Sequence, residues 1–163
     1  MASGNTLADL RPFGDEQPAS AYATLDTRNA QPCLDFDGST DEEAVWTFTM
    51  PSNYSGGGVN VKIHWRATSA TSGNVRWQTA FERGTTDIDA DSFAAFNSAG
   101  GTPNGTSGIE TVTTVAHANG GEMDSCVAGD ECRFKLRRDA DGTSGTDDVA
   151  TDVEVIGVEI VEQ

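Results

Sequence analysis

Strict two-residue alternation of apolar and polar positions organises the middle of the chain. Val59, Val61, Ile63, Trp65 and Ala67 face one way, and Asn60, Lys62, His64 and Arg66 the other. That is the period of a strand with one buried face. Val75, Trp77, Thr79 and Phe81 repeat the pattern against Arg76, Gln78, Ala80 and Glu82. Residues 69–74 between them hold the small polar residues and the glycine of a hairpin connection, so the two strands are expected to pair. Each indole buries ~150–250 Å² if it faces inward, which makes this pair the anchor of the core.

Shorter runs of the same period flank it. Leu34 and Phe36 point inward from one strand; Ala44, Trp46, Phe48 and Met50 from the next, which closes at Pro51. Residues 109–117 are largely β-branched, a strand composition. Cys132, Phe134 and Leu136 alternate with Arg133, Lys135 and Arg137, an edge-like strand with a basic outer face. In residues 153–160 the apolar phase changes beside Gly157, which predicts a β-bulge or a strand buried on both sides. Residues 21–25 read as a first strand or a landing point, residues 92–96 as a short strand, and residues 122–127 as one helical turn.

The sum is about eight strands, no amphipathic helix and no internal repeat. An all-β antiparallel β-sandwich, jelly-roll-like, is the most economical architecture. An immunoglobulin-type sandwich would want a Cys…Trp…Cys spacing that is missing. Residues 21–163 form the expected domain. Residues 1–20 carry only Leu7, Leu10 and Phe13 as apolar anchors among glycines and prolines, and read as an extended N-terminal arm, either mobile or ordered against a neighbouring subunit, with the three anchors favouring docking.

Charge changes the picture of partners. The 163 residues carry 26 Asp and Glu against 10 Lys and Arg, a net charge of −16. Such a balance repels phosphate backbones and anionic lipid surfaces, so no nucleic acid and no membrane are expected as partners. Either a crowded assembly or a saline setting, where ions screen self-repulsion, accounts for it. The first residues lack a basic region and an apolar core, so no secretory signal is expected. Cys33, Cys126 and Cys132 leave one thiol unpaired in any scheme; three free thiols are expected, with a small 126–132 loop as the alternative.

No nucleophile elbow, P-loop, dinucleotide fingerprint or zinc-protease motif occurs, so no catalytic residue is expected. Two acidic turns are candidates for calcium: Asp87, Asp89 and Asp91, and Asp139 with Asp141. Hard cations take several oxygens, though neither turn completes a calcium-loop pattern, and solvated turns are the plainer account. Seven basic or potentially basic groups fall on outward positions: Lys62, His64, Arg66, Arg76, Arg133, Lys135 and Arg137. They read either as one interface for an acidic partner or as groups paired across strands with Glu82 and Glu110.

Residues 23–37, 50–59 and 69–77 resemble small proteins of tailed-phage and environmental viral sequences, a likeness that spans roughly residues 20–162, with the cysteines a departure. The layout of polar arm, single sandwich and no active site resembles the capsid decoration, or cement, proteins of tailed viruses. That resemblance implies a virion structural protein on the capsid surface, made in a host cytoplasm, a homo-oligomer (typically a trimer) clamping the major capsid protein or another virion protein. Two other classes stand beside it: a carbohydrate- or receptor-binding β-sandwich, and a fibre subunit that donates a strand to its neighbour.

Overall fold

A computed structural model describes residues 4–85 and 87–163. Ten strands form two antiparallel sheets packed as a β-sandwich. The first sheet runs β2 (Thr24–Arg28), β3 (Gln31–Phe36), β10 (Val153–Glu162), β5 (Val59–Ala67), β8 (Thr111–His117), with β1 (Thr6–Leu10) also on β10. The second runs β4 (Glu42–Thr49), β9 (Glu131–Arg138), β6 (Val75–Arg83), β7 (Asn97–Gly101). Among the described residues no helix is long and apolar enough to cross a membrane.

The alternating strands bury the residues expected of them: Trp46, Trp65 and Trp77 are all in the core. Their partners differ from expectation. β5 and β6 do not pair; they lie in opposite sheets and face each other, with the Trp65 and Trp77 rings 5.9 Å apart. Alternation fixes which face of a strand is buried but not which strand lies beside it. Residues 68–74 are long enough to cross the ~10 Å between sheets. β10 and β8 take both edges of β5 instead.

The expected irregularity in the last strand is present. The β10–β5 register shifts between Val155 and Gly157, and nearly the whole of β10 is buried. Along its other edge β10 has two partners in turn: β3 at Val153–Val155 and β1 at Val158–Val161.

Residues 4–20 correct the arm as drawn from sequence. β1 adds a strand to its own chain's β10, and Leu7 and Leu10 are buried in its own core rather than held out for a neighbour. Phe13 alone of the three anchors is exposed, at 74%. Residues 92–96 are not a strand either: they run irregularly over the second sheet, and the strand follows them as β7. Gly100 and Gly101 belong to it.

A buried arginine closes one end of the sandwich. Arg138, fully buried, reaches Asp147 with Nε (3.0 Å) and Nη2 (2.9 Å). It also donates to the carbonyls of Asp37 (3.1 Å), Thr151 (2.9 Å) and Val149. One side chain therefore ties the loop after β9 to the turn after β3. Cys33, Cys126 and Cys132 are free thiols, all buried.

Candidate functional site

Burying Val61, Ile63 and Trp65 forces His64 and Arg66 onto the outer face of the first sheet. His64 stands opposite Gly157, where β10 bulges. The glycine leaves room for a side chain to cross the strand: a Cβ there would sit 2.9 Å from Nη1 of Arg11. The result is a groove of about 280 Å³ lined by Asp9, Arg11, Gln31, His64, Arg66, Glu110 and Glu159 over a floor of Ile156 and Gly157.

Its polar groups are mostly matched to one another. Arg11 meets Asp9 at 2.7 Å, and His64 Nδ1 meets Glu110 at 2.5 Å, with Glu159 3.7 Å from Nε2. Arg66 donates through Nη1 to Gln31 at 2.7 Å. Next to this groove lies an apolar shelf of about 250 Å³ made by Pro12, Phe13, Pro32 and Ile156, which shares Arg11 and Gln31 with it. The two form one cleft with a charged half and an apolar half.

Phe13 is held at the cleft. Its 3-10 turn, Pro12–Gly14, packs Gly14 against Trp46, and the buried Trp46 donates Nε1 to the Arg11 carbonyl at 2.9 Å. The Val45 amide donates to Asp15 at 3.0 Å, and Glu16 donates its amide to the Val45 carbonyl at 2.7 Å. An exposed phenyl on a segment whose backbone is pinned from below is an apolar platform with only two side-chain torsions to order on contact.

The seven basic positions read from sequence are divided between two surfaces, because β5 and β6 belong to different sheets. Lys62, His64 and Arg66 are on the first sheet; Arg76, Arg133, Lys135 and Arg137 are on the second. The second set is used within the chain. Arg133 pairs with the buried Glu82, Lys135 with Glu43 at 3.0 Å, and Arg137 bonds Gln78 at 2.6 Å. Phe93 lies against Arg133 and Lys135, and Phe96 against Arg137 at 4.5 Å. Arg76 donates to Ser98 at 2.8 Å. Glu82 and Glu110 thus pair with Arg133 and His64, and the seven positions do not share one surface.

Of the acidic turns, Asp139 and Asp141 come together with Asp41, a residue not singled out from sequence, their carboxylate oxygens within 4.8 Å of one another. Asp87, Asp89 and Asp91 form no such group among the described residues; the Asp89 amide donates to Asp87 in a local turn. Asp139 is buried, which by itself raises its pKa. The Ser144 hydroxyl and amide and the Thr143 hydroxyl outweigh that and hold it below the ordinary carboxylate value. Three carboxylates supply part of the six to eight oxygens calcium takes.

Two titratable groups, the half-buried Asp35 and the buried His117, give the fold an opposed pH response. Burial, then the negative neighbours Asp152, Glu154, Asp26 and Glu42, push Asp35 up to about 6. Its pKa is above the unfolded value of about 3.9, so the favourable contribution is full below that value and is lost as pH rises through about 6. His117, packed against Phe81 and bonded to Thr79 at 2.7 Å, is pushed down by burial. Its contribution is full above its unfolded pKa of about 6.5 and declines as pH falls. Asp35→Asn should therefore gain in melting temperature over the parent between pH 5 and pH 7.5. A constant difference across that range, in thermal melts, would contradict the assignment.

The architecture is that of a two-sheet antiparallel β-sandwich. No family model matches the sequence, and no curated protein matches it. In fold the chain is similar to the CBM36-1 domain of a multidomain xylanase from the hindgut metagenome of Trinervitermes trinervoides, at 8% identity, TM-score 0.53 and 94% of each chain covered. It is similar to the C-terminal CBM6 of LamC, a marine laminarinase from Zobellia galactanivorans, at 12% identity and TM-score 0.52, over 97% of this chain and all of that one. It is likewise similar to the CBM22-1 xylan-binding domain of Paenibacillus barcinonensis Xyn10C, at 11% identity and TM-score 0.51, over 99% and 97% of the two chains. At these identities the likeness is one of fold.

Proposed function

We propose that this chain is a non-catalytic carbohydrate-binding module whose glycan lies in the cleft on the first sheet. The observation that carries the reading is the exposed Phe13 ring, pinned by Trp46, beside a groove of hydrogen-bonding side chains. A sugar ring has apolar C–H faces and a rim of hydroxyls. The first packs on a phenyl, and the second needs donors and acceptors fixed in place. The sandwiches of similar fold named for xylan binding and carbohydrate binding support the same reading.

The shell-clamping role expected from the viral resemblance relied on an apolar arm and a basic sheet face. Leu7 and Leu10 are spent on the chain's own core, and the basic groups of the second sheet on its own carboxylates and phenyl rings. These placements favour the glycan reading over capsid decoration and over strand donation.

Phe13→Ala should leave the melting temperature within a degree, since the ring is exposed. It should weaken binding to the best glycan found on an array by about tenfold, the size of one ring contact. Equal binding by the variant in calorimetry would sink the cleft as the site. Calcium at Asp41, Asp139 and Asp141 belongs to the reading as a subsidiary proposal. A melting temperature and affinity unchanged between chelator and millimolar calcium would remove it.

A further inference from the structure

Within the groove, Arg11 has Asp9 and His64 has Glu110, while Arg66 has no carboxylate partner among the described residues. Its printed hydrogen bond goes from Nη1 to the neutral side chain of Gln31. Its Nε is buried with no partner. A guanidinium donates in pairs, and the edge formed by Nε and Nη2 matches the two oxygens of a carboxylate. Leaving a charged donor buried and unpartnered is costly, so an arginine that lines the groove with its Nε unmatched marks a place for a ligand group.

We propose that the glycan taken by this cleft carries a carboxylate, as a uronic acid residue does, and that Arg66 receives it through Nε and Nη2 while Phe13 packs on a sugar face. The inference rests on the glycan reading above and narrows it. Of the surrounding acids, Asp9 is already paired with the Arg11 guanidinium at 2.7 Å, and Glu110 is bonded to His64 Nδ1. The repulsion from the chain's net charge of −16 is long-ranged and is screened at physiological salt. Side chains at binding sites commonly change rotamer on contact, which is the movement Arg66 needs to present its Nε.

The test is calorimetry at pH 7 and physiological salt with three probes: an oligogalacturonate, the same oligomer fully methyl-esterified, and a neutral xylo-oligosaccharide. The acidic oligomer should bind, and esterification should weaken it by about 10–100-fold, the size of a hydrogen-bonded contact to a charged group. Arg66→Met should lose that same factor and no longer distinguish acid from ester. Arg66→Lys, which keeps the charge without the paired donors, should fall between, and both variants should melt with the parent. Equal affinity for acid and ester, or an Arg66→Met protein that still prefers the acid, overturns the carboxylate assignment and leaves the glycan reading standing. Binding of the neutral oligomer alone does the same. No binding to these probes or to any glycan on an array removes the glycan reading and this inference with it.

Discussion

Replacing Arg138 by Ala should cost about 3–5 kcal/mol of folding stability, measured by urea unfolding, because it strands a buried carboxylate. The Asp147 side chain is 1% exposed and has its two oxygens on Nε and Nη2 of Arg138. Four backbone carbonyls, those of Phe36, Asp37, Val149 and Thr151, lose a donor at the same time. Arg138→Lys keeps the charge but offers a single ammonium to a set of acceptors spread over two loops, so it should recover only part of the loss. The double variant Arg138→Met with Asp147→Asn should be more stable than Arg138→Met alone, since it removes the stranded charge. A loss below about 1 kcal/mol for Arg138→Ala would mean that water reaches the loop and that the arginine is not its clasp.

Trp77→Ala is the second large effect, again about 3–5 kcal/mol, the usual range for emptying an aromatic site in a core. The ring is fully buried, edge-on to Phe36 with centroids 5.3 Å apart and 5.9 Å from Trp65. The two indoles should respond differently to Phe. Trp65 donates Nε1 to Thr113 at 3.0 Å, whereas Trp77 Nε1 is buried without a partner. Trp65→Phe takes this donor away from the Thr113 hydroxyl, which packs close against Gly101. Trp77→Phe discards an unsatisfied donor and should be the milder change. Equal losses for the two, in chemical denaturation, would show that ring volume alone governs this layer of the core.

The burial pattern of the fold was legible because alternation is a local property. It located the inward tryptophans, the two-sided burial of β10 and the irregularity beside Gly157. Strand neighbours are not local, and the supposed pairing of β5 with β6 failed for that reason: each strand's edges were claimed by segments distant in sequence. The same error merged two basic faces into one. Residues 4–20 misled because Leu7 and Leu10 are too few to show a period, although Leu7 and Leu10 pack into the core. His64 and Arg66 were visible as outward groups. Glu110, Glu159 and Gln31 joined them only through pairing register, and no spacing in the chain announces it. Phe13 carried one usable sign: a large apolar side chain between a proline and a glycine, where a turn holds it away from any regular face.

β10 changes neighbours in mid-strand, from β3 to β1, and Ile156 and Gly157 fall at the changeover with no strand beside them on that side. The cleft floor is therefore built where the hydrogen-bonded lattice of the sheet is already interrupted. Altering these two positions reshapes what the cleft admits without unpairing a ladder. A side chain added at Gly157 first meets the movable tip of Arg11. This seam is where new ligand preferences can be selected while the sandwich itself stays unchanged.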